Sequence, residues 1–157
     1  MNSRDYTFLV LSLCLGFILQ YLPLASFMYW FVPEWVLMMF VFWQMQNPKL
    51  MNFWWVWPLG LLMDVQQSTF LGTHVIAFAT VLYALQLMYQ RIRMFNVAQQ
   101  AGTIFLLVCI FQMIGYWATL LVEESNKPLS LWTPALVSAV VWPWLQLILG
   151  NAQRKLK

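Results

Sequence analysis

Long apolar runs separated by short polar punctuation make up almost the whole chain. Six stretches carry the pattern: 7–22, a second within 27–46, a third starting near 53, then 72–89, 101–122 and 131–150. A helix that crosses a bilayer needs about 20 mostly apolar residues, and these runs reach or approach that length. Backbone groups in hydrocarbon must pair within the protein, so a crossing segment is either a helix or part of a closed barrel. Barrel strands alternate apolar and polar positions. Here runs such as 105–110 and 135–144 are continuous. The pattern predicts an all-α integral membrane protein of about six transmembrane helices, in a single polytopic domain over residues 1–157. The second and third spans are the weakest. Pro33 and Glu34 interrupt the second, and the third must include Asp64, Gln66 and Gln67 if it is to cross. Tilting, kinking or a partly re-entrant path would suit either.

Composition sharpens this picture. The chain is 62% hydrophobic and 8% charged, whereas a soluble domain carries roughly 25% charged residues. Too few charges are present to cover a water-facing surface, so lipid must cover it. The loops are short, and the sequence offers no stretch from which a soluble domain could be built. Arg4 followed by the apolar run 8–19 resembles a secretory signal. No small-x-small cleavage pattern follows it, and bulky Leu13 before Cys14 does not suit a lipoprotein signal. The segment is expected to be kept as the first span.

Charge then orients the spans. Six crossings put Arg4, Lys49, Arg91, Arg93, Arg154, Lys155 and Lys157 on one side and Lys127 on the other. Basic residues collect on the cytoplasmic side, so both termini are expected in the cytoplasm. The outer loop 123–128 carries Glu123 and Glu124.

Asp64 is the leading candidate for chemistry. It closes the charge-free run 53–63, and ionisable groups inside membranes tend to mark sites. It lies roughly 18 Å along a helix that starts near Asn52. Three readings are open. It can be a helix-end carboxylate reaching interfacial water, a carboxylate facing a polar pocket with Gln66, Gln67, Ser68 and Thr69, or a neutral acid. Gly60 and Gly72 frame it, as small residues suited to close helix contact and to a turn. His74, the one histidine, has no neighbouring ligand types for a metal, but a contact with Asp64 is conceivable. Pro33-Glu34-Trp35 suits a helix start, with proline at the first helical position and the acid favoured by the helix dipole. Trp142-Pro143-Trp144 suggests a kink flanked by two indoles, giving a shaped surface. Cys14 and Cys109 read as small buried hydrophobes without a disulfide or metal partner. No catalytic set, metal site or cofactor motif is present in the pattern. The scattered basic residues read as topology determinants, not as nucleic-acid contacts.

Pro33-Glu34-Trp35-Val36-Leu37, Gly60-Leu61-Leu62-Met63-Asp64, Ser68-Thr69-Phe70-Leu71-Gly72 and Trp142-Pro143-Trp144 together resemble the rod shape-determining protein MreD family of Gram-negative bacteria. Glu34 and Gln66-Gln67 depart from that pattern. The resemblance implies a non-enzymatic membrane component of the cell-elongation machinery. Such a protein binds MreC and through it couples the MreB filament to the glycosyltransferase RodA and its transpeptidase partner. It also implies a fold similar to the substrate-binding subunits of energy-coupling-factor transporters, with a cavity near the outer face where Asp64, Ser68, Thr69 and His74 fall. The alternative is a membrane transport subunit that binds a small molecule or lipid in a pocket around Asp64.

Overall fold

Where lipid is the solvent, each backbone amide must find its partner inside the chain, and each apolar run accordingly contributes a helix among the described residues. A computed structural model describes residues 3–22, 31–92, 94–121 and 132–156. Six helices follow one another: α1 (Ser3–Gln20), α2 (Trp35–Gln46), α3 (Phe53–Gln67), α4 (Thr73–Ile92), α5 (Val97–Leu120) and α6 (Trp132–Leu156). No strand occurs among the described residues. Residues 27–30 of the second expected span and the acidic loop 123–128 lie outside them.

Three of the helices, Thr73–Ile92, Val97–Ala118 and Trp132–Gln153, are long and apolar enough to cross a membrane. The others are shorter. α2 has 12 residues and α3 has 15, giving lengths of about 18 and 22 Å against a hydrocarbon core of about 30 Å. The chemistry of their ends explains this. Pro33 precedes α2, and α3 stops where Ser68 turns left-handed at φ 52° and Asp64 collects hydrogen bonds from the following turn.

α2 is the hub. From Val36 to Gln44 every residue is buried, so no side of that stretch faces lipid. It packs against α1, α4 and α6, while α3, α4, α5 and α6 pack in chain order. Burying apolar surface drives little association between helices in lipid. Close packing and interhelical hydrogen bonds hold them instead. The Trp43 indole donates to Ser12 Oγ at 2.7 Å, tying α2 to α1. Phe40, Phe78 and Phe111 form an edge-to-face chain through α2, α4 and α5, with centroids 5.2 and 4.9 Å apart.

The outer faces are apolar, as a lipid-covered protein requires. Leu11, Trp54, Val65, Leu87 and Val140 are all well exposed. Two sequence expectations fail here. Cys14 is exposed and Cys109 half-buried, because Cys14 falls on the outward face of α1. Trp142 is fully buried while Trp144 is 69% exposed, since residues two apart on a helix point to nearly opposite sides. The two indoles therefore make no common surface, and α6 runs on through Pro143.

Candidate functional site

The C-terminal ends of α1 and α3 meet the N-terminal ends of α2 and α4 at one end of the bundle, together with the later half of α5 and the early half of α6. Most of the polar side chains that the apolar runs could not absorb gather there, in two clusters that share a cavity.

The first cluster centres on Asp64, which is fully buried. Its Oδ1 accepts from the Thr69 hydroxyl at 3.0 Å and from the His74 backbone N–H at 2.9 Å. His74 Nδ1 lies 2.7 Å from the same oxygen and donates when that nitrogen carries the proton. Oδ2 accepts from the Gly72 N–H at 2.6 Å. A carboxylate offers about four accepting positions, two on each oxygen; three donors converge on Oδ1 and one reaches Oδ2. All four come from residues 69–74, the turn that joins α3 to α4. Of the readings open for Asp64, the helix-end carboxylate in interfacial water is the one this geometry excludes, for the group meets its own turn instead. The contact with His74 conceived from the sequence is present.

The glycines explain how the turn closes. A Cβ on Gly60 would stand 2.5 Å from the Val75 backbone nitrogen, so α3 and α4 touch backbone to backbone at that point. Gly72 has φ +104°, a conformation that L side chains rarely adopt. Ser68 is exposed and caps α3 in the left-handed region, and nothing brings its side chain to the cavity.

The second cluster centres on Glu34, half-buried at the start of α2. The expected helix start is modified in detail. Helix α2 begins at Trp35, Pro33 stands before it, and the Glu34 side chain makes no capping bond to the helix. Its carboxylate instead reaches two other helices. Oε2 accepts from Gln20 Nε2 of α1 at 2.9 Å, and Oε1 accepts from Gln112 Nε2 of α5 at 3.1 Å. The Glu34 backbone N–H donates to Ser138 Oγ of α6 at 3.0 Å, and the Trp35 N–H donates to Gln20 Oε1 at 2.8 Å. Gln20, Gln112 and Ser138 escaped the sequence reading. Their signal was an uncharged polar side chain in an apolar run, a kind of residue that bonds across membrane helices.

Between the clusters lies a cavity of about 220 Å³. Glu34, Gln67, Thr69, His74, Phe111 and Gln112 line it. Asp64 is not among its lining residues, but the two side chains bonded to it, Thr69 and His74, are. Gln112 Oε1 is buried without a hydrogen-bond partner, and such a group costs about 1–3 kcal/mol. The Trp142-Pro143-Trp144 segment contributes nothing to this cavity. Pro143 lines a separate groove of about 440 Å³, whose other walls include Gln46 at the end of α2 and Val97 at the start of α5.

The imidazole and its neighbours do not form a hydroxyl–imidazole–carboxylate relay. In a hydroxyl–imidazole–carboxylate relay, the hydroxyl and the carboxylate take opposite ring nitrogens. Here Thr69 Oγ1 and Asp64 Oδ1 both face Nδ1, at 3.4 and 2.7 Å. Among the described residues no group of three or more His, Cys, Asp or Glu is placed to hold a metal ion.

Comparison with known proteins gives two matches. The family model for the rod shape-determining protein MreD matches residues 2–151. A relative from Haemophilus influenzae named rod shape-determining protein MreD is 23% identical over 143 residues, covering 91% of this chain and 88% of that protein. No solved structure matches.

Proposed function

The chain belongs to the family of rod shape-determining MreD proteins, and on that footing we propose that it is a non-enzymatic inner-membrane component of the cell-elongation complex. It binds MreC directly. Through MreC it links the MreB cytoskeleton to peptidoglycan synthesis by RodA and the elongation transpeptidase. The six helices described belong to one domain over residues 1–157, with both termini in the cytoplasm.

The observation that carries the partner reading is the groove at the end of the bundle opposite Glu34. Pro143, Leu147 and Gly150 form a line along α6, one or two turns apart, with Gln146 and Gln153 beside them. Gln146 Nε2 donates to Gln100 Oε1 of α5 at 2.7 Å, and Gln46 is exposed at the rim. Amide side chains in membrane helices favour contacts with other helices. A partner helix laid along this line would meet small and apolar side chains for packing and amides for hydrogen bonds.

Cysteines placed at Leu147 and Gly150 are expected to crosslink to cysteines in the membrane helix of MreC. Gln146→Leu combined with Gly150→Leu is expected to abolish co-purification. If that double variant inserts normally and still brings MreC down, the groove is the wrong face. If the unaltered pair fails to co-purify with both proteins folded, the MreC reading itself fails.

A further inference from the structure

The two carboxylates beside the cavity are unequally satisfied. Asp64 takes four donors, all from residues 69–74. Glu34 receives one amide N–H on each oxygen, which leaves each oxygen a further accepting direction. Gln112, which gives its N–H to Glu34, keeps Oε1 buried and unpaired. The Thr69 hydroxyl donates to Asp64, so toward any other group it is an acceptor. Among the described residues that line the cavity, acceptors therefore outnumber donors. Lys49 and Arg91, the basic side chains described, belong to the loop after α2 and to the end of α4, away from this end. The complement that these described residues call for is a compact cation with several N–H donors.

Beside the cavity, on the outer side of the α4–α5 seam, runs an apolar groove of about 360 Å³. Phe70, Leu71, Ile76, Ile114 and Leu121 line it. On α5, Phe111, Gln112 and Gly115 face the polar cavity, while Ile114, Ala118 and Leu121 face the groove. At the edge between them stand small residues, Gly72, Thr73 and Gly115. Gln67 is exposed and brings an amide to the lining of the polar cavity. A charged, acceptor-rich pocket next to an apolar channel in a membrane-facing surface fits one amphiphile: a phospholipid.

We propose that the cavity binds the primary ammonium of an aminophospholipid headgroup, held by Glu34 and Gln112, with an acyl chain lying in the α4–α5 groove. Three N–H bonds distinguish this group from the trimethylammonium of a choline lipid, which has the same charge and no donor. The assignment does not depend on the partner groove on α6.

The test is native mass spectrometry of the purified full chain in detergent, titrated with phosphatidylethanolamine, phosphatidylcholine or free ethanolamine. The expected result is retention of phosphatidylethanolamine about tenfold over phosphatidylcholine, in line with one charge-assisted hydrogen bond. Glu34→Gln is expected to erase that preference. Gly115→Leu provides a second variant that leaves the carboxylate in place, because a Cβ there meets nothing within 4 Å and the longer side chain would enter the cavity. It too should erase the preference. Equal retention of the two lipids overturns the proposal, as does a preference that survives both variants in folded protein. Displacement of phosphatidylethanolamine by an equal concentration of free ethanolamine would overturn the lipid assignment and leave a free amine as the ligand.

Discussion

Asp64 and Glu34 sit at the same end of the bundle and border the same cavity, yet they are held in different ways. Asp64 is bonded to residues no more than ten positions away, within a single helical hairpin. Glu34 is bonded to groups on α1, α5 and α6, at separations of 14, 78 and 104 residues. One carboxylate closes a corner. The other joins helices distant in the chain and takes only two donors on its carboxylate. A buried acid in a membrane protein is therefore not a site by virtue of being buried. What distinguishes a site is how much accepting capacity its own fold leaves unused.

Variants can break or sharpen this contrast. The largest effect is expected from Asp64→Ala, which leaves two backbone donors and the His74 ring unpaired in a buried place. Loss of one member of a buried pair costs about 3–5 kcal/mol. Unfolding midpoints of the purified protein in micelles would measure it. A loss below about 1 kcal/mol, the scale of an ordinary surface change, would mean that the corner is not what holds α3 to α4. Gly60→Ala comes next, because its methyl would collide with the Val75 backbone and not with a movable side chain. Overpacking of this kind costs about 1–3 kcal/mol, read in the same assay. Gly72→Ala is expected to cost about 1–2 kcal/mol, the strain of a left-handed backbone for an L residue. It should add little to Asp64→Ala, because both act on one turn.

Glu34→Gln sharpens the contrast from the other side. The amide keeps one accepting oxygen, so the expected stability loss is about 1 kcal/mol or less. An unfolding shift as large as that of Asp64→Ala would make Glu34 a structural post, and the contrast would vanish. The smallest expected effect is a gain. Ser68→Gly relieves a left-handed φ at the α3 C-cap and should raise stability by about 0.5–1 kcal/mol. It should leave lipid retention unchanged.

How much of this was legible in the sequence follows the same division. The Asp64 corner was readable. An isolated acid at the end of a charge-free run, two framing glycines and one histidine all lie within 15 residues, and their bonds are local. The six helices were readable because lipid demands them. Two things were not. The complete burial of α2 depends on its being enclosed by neighbours, which no local pattern states. The Glu34 network depends on which faces of α1, α5 and α6 turn inward. Pro33-Glu34-Trp35 already had a sufficient local account as a helix start, and that account hid the contacts. Gln20, Gln112 and Ser138 are ordinary one at a time. Their meaning appears only when three helices bring them to one carboxylate.

The central position of α2 has a consequence for how the protein is made. A ribosome delivers α1 and then α2, so Gln20 is the one side-chain partner of Glu34 that exists when α2 reaches the membrane. Gln112 and Ser138 are synthesised 78 and 104 residues later. Until then a 12-residue helix must wait with its acid half-paired, in a bilayer too thick for it. The Glu34 knot is thus tied only when α6 arrives, so the earliest polar helix start of the hub is completed by the final helix.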